Sequence, residues 1–260
     1  MKSIIIGLII SLTILGLTLG YPTPVEKDPE QGDFFEGDID LSEDQREAIE
    51  GKARNGLISS KYHWPNKVVY YKFAEGQFDG AHKNHVLRGM QMLEEVSCIR
   101  FIPANETTIA FVNITSQPTG CHSSVGFQNK VQTVNFQNYE LDKGCFRLAT
   151  IVHEFLHALG FYHQQSASNR DEFVKIVFEN ISSGKESNFN IYNSTVVEDF
   201  GIEYDYGSVM HYGPTAFSKN GEKTIIPILD PSAEIGQRRD MSSKDIDKLN
   251  IMYKCPIQTK

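Results

Sequence analysis

Eleven residues constrain this chain more than any other stretch: His153-Glu154-Phe155-Leu156-His157-Ala158-Leu159-Gly160-Phe161-Tyr162-His163. In a helix, side chains four residues apart share a face, so His153 and His157 aim at one point. Neutral imidazoles suit Zn²⁺, and three protein ligands leave one coordination position for water. Glu154, beside the first histidine, can reach that water as general base. Gly160 tolerates the backbone conformation that ends a helix, letting the chain turn back and present His163 as third ligand. The first five residues alone fit a pair of surface histidines equally well. Requiring Gly and then His at fixed offsets makes the longer pattern far more restrictive. The expected cofactor is one Zn²⁺ per chain.

The 260 residues suffice for one large domain or two lobes around a cleft. The formal charge of −8 is unevenly placed, since residues 21–54 hold eleven acids and four bases. The remainder is close to neutral and has no basic stripe, so nucleic acid is not an expected partner. Lys2, the apolar run Ile4 to Leu19, and small residues Thr18 and Gly20 before Tyr21 read as a signal peptide over residues 1–20. Secretion follows, with an extracellular location and no membrane association once the signal is removed. In that oxidising setting Cys98, Cys121, Cys145 and Cys255 can pair, and spacing leaves all three pairings open. Asn105, Asn113, Asn180 and Asn193 begin glycosylation sequons. Asn113 falls in a strand-like run, which restricts access to it.

Residues 21–54 begin as an extended, proline-bearing stretch and continue as a short helix from Glu43 to Glu50. Ser42 is its N-cap, Gln45 the capping-box partner and Gly51 its stop. Lys52-Ala53-Arg54 before Asn55 suits a trypsin-like protease, which makes 21–54 a prosegment and 55–260 the folded domain. Within that domain strands are expected at Lys67–Phe73, Ile99–Ile102, Thr108–Ile114 and Val131–Phe136. A helix is expected at Gly80–Val96, with Val86, Leu87, Met90 and Leu93 on one face. A second spans Phe146 to Leu159, and a last one, capped by Ser242 with Asp245, spans Ser243 to Tyr253.

Tyr204-Asp205-Tyr206-Gly207-Ser208-Val209-Met210-His211-Tyr212 reads by itself as an aromatic turn around a core methionine. Downstream of the histidine motif it resembles the Met-turn of metzincins. The Tyr two residues after the Met is similar to one family in particular, the astacin family of zinc metalloendopeptidases. The resemblance runs from Phe34 to the C-terminus, so that 55–260 looks like an astacin catalytic domain. It implies an α+β fold of two lobes: an N-terminal lobe with a twisted mixed sheet and two helices, and an irregular C-terminal lobe with a terminal helix.

The resemblance also implies roles. Met210 would form a hydrophobic base under the zinc, and Tyr212 would be a displaceable fourth ligand that swings to the reacting carbonyl oxygen. Phe35-Glu36-Gly37-Asp38 is similar to the family's prosegment motif, whose Asp takes the open zinc position; here that is Asp38. Thr119-Gly120-Cys121 through Gly126 resembles the cleft-edge strand, where an extended peptide would pair near Ser123–Val125. Gly213–Thr215 would line the pocket beyond the scissile bond. The implied disulfides are Cys98–Cys255 and Cys121–Cys145. Implied partners are protein or peptide substrates and an activating protease, with the enzyme a monomer.

Departures from the family pattern are Gln164 in place of a Glu, Ala167 and Asn169 in place of Arg and Asp, and His122 in place of a Trp. A Gln carbonyl still accepts a hydrogen bond. His63, His82, His85 and His211 are expected at the surface or in packing, since a four-ligand site is complete without them. A serralysin-like enzyme lacks support because no glycine-rich calcium repeats occur. A non-catalytic binding protein fits poorly with an intact Glu154.

Overall fold

The structure, a computed structural model, describes residues 28–49, 60–192 and 199–256. The expected signal peptide, the Arg54–Asn55 junction and Asn193 lie outside those residues.

Four parallel strands form the body of one sheet: β2 (Val68–Phe73), β3 (Arg100–Pro103), β4 (Val112–Thr115) and β6 (Gln132–Phe136). β5 (Cys121–Ser124) runs antiparallel to β6, and a two-residue strand β1 (Ile39–Asp40) lies parallel on β5. The order is β1-β5-β6-β4-β2-β3. Two helices cover the sheet. α2 (Gly80–Val96) starts at Asp79, whose side chain accepts from the His82 amide at 2.8 Å. It buries Val86, Met90 and Leu93, whereas Leu87 is at the surface. One residue further round turns a side chain by about 100°, which carries Leu87 off the apolar face. α3 (Leu148–Ala158) is buried from Ala149 onward and packs on α2 and β5.

The expected strand from Thr108 is shorter in fact. The Asn105 side-chain oxygen accepts from the Thr107 amide and from the Thr107 and Thr108 hydroxyls, folding residues 105–108 into a turn. Pairing therefore begins only at Val112. The second helix also starts later than Phe146, because Gly144–Phe146 forms a separate 3₁₀ turn around Cys145. α1 (Glu43–Ile49) carries the expected cap: the Ser42 amide donates to Gln45 at 2.9 Å and the Gln45 amide to Ser42 at 3.4 Å.

After α3 the described residues are mostly turns, with a short antiparallel pair of β7 (Val174–Ile176) and β8 (Ile225–Pro227). α4 (Ser243–Met252) closes the chain with a full Ser242/Asp245 capping box. The disulfides are Cys98–Cys255, tying the end of α4 to the end of α2, and Cys121–Cys145, tying β5 to the approach of α3. Their separations of 157 and 24 residues correspond on the chain-entropy view to about 5 and about 3 kcal/mol. Among the sequon asparagines, Asn105 is exposed, Asn113 sits half-buried in the interior strand β4, and the Asn180 amide donates to the Lys223 carbonyl oxygen. No helix among the described residues is long and apolar enough to cross a membrane.

Candidate metal centre

The site is built from how α3 ends. Gly160 has φ of +112°, the Gly160 amide donates to His157 O and the Phe161 amide to Leu156 O. These two bonds are the Schellman pattern, which needs a residue free of a Cβ penalty at that position. The remaining carbonyls of the last turn find tertiary partners. The Trp64 indole N–H donates to Ala158 O at 2.8 Å, and the Tyr253 hydroxyl to Leu159 O at 2.8 Å. The end of the helix is thereby fixed, and three residues later His163 returns to face His153 and His157.

The Nε2 atoms of His153, His157 and His163 converge with the Asp38 carboxylate, all buried. His153 Nε2 lies 3.1 Å from His157 Nε2 and 3.3 Å from Asp38 Oδ2. Asp38 Oδ1 lies 3.6 Å from His157 Nε2 and 3.3 Å from His163 Nε2. A tetrahedral zinc site with bonds near 2.1 Å has ligand-to-ligand edges of about 3.4 Å. Asp38 Oδ1 and His163 Nε2 also make no hydrogen bond among the described residues although fully buried. Spacing, donor type and orphaned atoms therefore fit Zn²⁺.

The far nitrogens are anchored as well. His153 Nδ1 donates to Val209 O at 2.8 Å, His157 Nδ1 to Phe161 O at 2.7 Å and His163 Nδ1 to Glu36 Oε2 at 2.8 Å. Val209 belongs to the turn containing Met210, and that turn is held by α4. Ser208 Oγ donates to Asp245 Oδ1 at 2.6 Å and the Val209 amide to Asp245 Oδ2 at 2.9 Å. The capping residue of α4 thus also sets the carbonyl that orients His153. Met210 is buried in the main core.

Charges in the site are strongly perturbed. Burial opposes the Asp38 charge, yet His163 and the facing nitrogens of the other two histidines hold its pKa well below the usual carboxylate range. Burial would lower His163, but the Asp38 carboxylate and then Glu36, bonded at Nδ1, raise it to about 9. Burial and then the positive Arg238 lower His153 to about 4. Glu154 is pushed well above its ordinary value by burial and by the charges of Asp38 and Glu30. Neither of its carboxyl oxygens has a hydrogen-bond partner among the described residues.

Residues 28–49 run along the cleft. Asp38 O accepts from the Ser123 amide at 2.8 Å, and Pro29 O from the Cys121 amide at 3.0 Å. Gly37, at φ +91°, has no room for a Cβ, which would lie 2.6 Å from Glu30 O and 2.8 Å from the Phe217 ring. Phe35 packs against the apolar group of Ile39, Leu41, Tyr62, Val125, Tyr162 and Tyr192. Phe34 stacks on His122 at 3.8 Å between ring centres. Tyr212 is buried near the site, and its hydroxyl donates to Glu36 O. His211 is also buried, its Nδ1 donating to Tyr212 O at 2.8 Å.

Several buried contacts around the site were invisible in the sequence. Glu30 is buried with Arg238 Nε at 2.8 Å from Oε2 and Thr150 Oγ1 donating to Oε1 at 2.8 Å. Lys248 Nζ donates to Gln164 Oε1 at 2.6 Å. No local spacing links such pairs. Glu36 alone had a signal, its place within the Phe35–Asp38 motif.

Two histidines one helical turn apart, a third after a glycine reversal and a methionine-bearing turn bonded to the first of them define a zinc peptidase of the metzincin class. The model of the peptidase family described as Astacin matches residues 57–254, and the chain belongs to that family. It is a zinc metalloendopeptidase acting on protein or peptide substrates. Seminal metalloprotease 1 of Drosophila melanogaster is 45% identical over 234 residues, covering 88% of this chain and 90% of that protein. Meprin A subunit beta of Homo sapiens is 41% identical over 225 residues, 86% of this chain but 30% of that protein. High choriolytic enzyme 1, a hatching enzyme zinc-protease from Oryzias latipes, has a similar structure at TM-score 0.69 and 34% identity, covering 76% of this chain and 97% of that one.

Proposed function

We propose that this chain is a secreted zinc endopeptidase made as a latent precursor. Residues 1–20 form the signal, 21–54 the prosegment and 55–260 the catalytic domain, released by a trypsin-like protease cutting between Arg54 and Asn55. The enzyme acts outside the cell as a monomer. One observation carries the reading: the Asp38 carboxylate, from the segment ahead of the cut, stands as fourth corner beside His153, His157 and His163.

His153, His157 and His163 would hold the ion, over the apolar base of Met210. Bound zinc supplies Lewis acidity toward a water and toward the scissile carbonyl. Glu154 accepts the proton of the attacking water and returns it to the leaving amine. Tyr212, a displaceable ligand, donates its hydroxyl to the carbonyl oxygen as charge develops there. Its bond to the Glu36 carbonyl oxygen supports that role, with a prosegment carbonyl in the substrate's place. Without β1, β5 becomes an edge strand, and an extended substrate pairs there by β-augmentation. Gly213–Thr215 line the pocket beyond the scissile bond.

Limited trypsin treatment of the purified precursor tests the proposal. Peptidase activity should appear in step with a mass-spectrometric cut after Arg54. Equal activity before and after that cut would refute latency.

A further inference from the structure

A zinc-binding imidazole needs its far nitrogen fixed, because the partner there selects the tautomer whose Nε2 is free for the metal. The three histidines meet this need unequally. His153 and His157 donate from Nδ1 to the backbone carbonyls of Val209 and Phe161, which belong to the catalytic domain. His163 donates instead to a side chain of the proposed prosegment, Glu36 Oε2 at 2.8 Å. The second oxygen of Glu36 accepts from Ser166 Oγ at 2.6 Å and from the Tyr192 hydroxyl. The carboxylate is fully buried. Its backbone sits at φ +48°, a left-handed conformation costing a non-glycine residue on the order of 1 kcal/mol. Blocking the cleft requires neither that strain nor a second buried carboxylate, since Asp38 already stands at the coordination corner.

We infer that Glu36 is the positioning residue for His163, so that the prosegment assembles the zinc site as well as closing it. By accepting the Nδ1 proton, Glu36 holds the imidazole with Nε2 toward His153 and His157. The precursor is then the form that captures zinc, and cleavage removes an orienting partner as well as the fourth ligand. Around that spot the catalytic domain retains the neutral hydroxyls of Ser166 and Tyr192. The inference rests on reading residues 21–54 as a removable prosegment, and its test measures metal affinity instead of turnover.

The uncleaved full chain is stripped of metal and titrated with zinc against a chromophoric chelator, as the native protein and as Glu36→Ala, Glu36→Gln and Glu30→Gln. Glu36→Ala should bind zinc about 10- to 100-fold more weakly, the usual loss for an orienting partner of a ligand. Glu36→Gln keeps an acceptor and should lose only several-fold. Glu30→Gln loosens the same segment without touching a ligand, and should leave zinc affinity within about threefold of native. A native-like affinity in Glu36→Ala would overturn the inference. So would an equal loss in Glu30→Gln, which would reduce the effect to general loosening of the segment. Should Glu36→Ala fail to fold, Glu36→Gln decides alone, an unchanged affinity overturning the idea. A peptidase assay on the uncleaved native protein runs in parallel. Activity there would sink the prosegment reading and leave the zinc comparison interpretable.

Discussion

Lys248 Nζ and Gln164 Oε1 are 2.6 Å apart in a buried contact, one residue beyond the third histidine of the site. The Gln164 amide also donates to Met210 O at 3.0 Å, so α4, the turn after α3 and the methionine turn meet at this residue. A donor from within the domain already engages the side-chain oxygen of Gln164. Mature proteins beginning one residue before or after Asn55 should therefore differ by less than about threefold in kcat/KM, under 1 kcal/mol of transition-state stabilisation. Steady-state kinetics on such ragged-end proteins checks this. A loss of tenfold or more would mean that the new terminus competes with Lys248 for Gln164.

The pairing of Glu30 with Arg238 joins the proposed prosegment to the wall of the cleft. Burial alone would raise the Glu30 pKa, but the Arg238 charge and hydrogen bond outweigh it and bring the value down to about 2. A carboxylate depressed from its ordinary 4.5 stabilises the folded state fully above pH 4.5 and loses that contribution as pH falls toward about 2. Glu30→Gln should cost the precursor about 3 kcal/mol near neutral pH, since it leaves a buried guanidinium without its partner. Urea unfolding of both proteins across pH should show that gap constant from pH 7 to about 5 and narrowing below 4.5. A gap that widens on acidification would contradict the assignment.

Glu154 has no structural partner to lose among the described residues, since both its carboxyl oxygens are buried there without a hydrogen bond. Glu154→Ala should keep stoichiometric zinc and the fold while turnover falls by at least about 100-fold, the scale of a general acid/base. Zinc content by atomic absorption, paired with kcat on a quenched peptide, gives both readings. A smaller loss would remove Glu154 from the proton-transfer role.

How much of this was legible beforehand depended on range. The histidine spacing, the Gly160 reversal and the Ser242/Asp245 capping box are encoded within a few residues, where helix geometry dictates the outcome. The pairing of Cys98 with Cys255 and of Cys121 with Cys145 followed from family resemblance, because four cysteines alone leave the choice open. Pattern reading failed at Thr108, where local side-chain bonds from Asn105 outcompeted strand pairing, and at Leu87, where an apolar residue sits one step off the buried face. Glu30 with Arg238 and Gln164 with Lys248 are 208 and 84 residues apart in the chain, so only the folded topology brings them together.

In the proposed function, Asp38 keeps the precursor silent by taking the fourth corner of the three-histidine site. The direct measurement is peptidase activity of uncleaved, zinc-loaded Asp38→Ala protein beside uncleaved native protein. Because Asp38 is tethered to the same chain, even a modest ligand can saturate the position, and its loss should release it. Measurable turnover is expected in the variant with residues 21–54 still attached, and none in the native precursor. An Asp38→Ala protein that binds zinc yet stays as silent as the native one would contradict it, leaving simple obstruction of the cleft as the cause of latency.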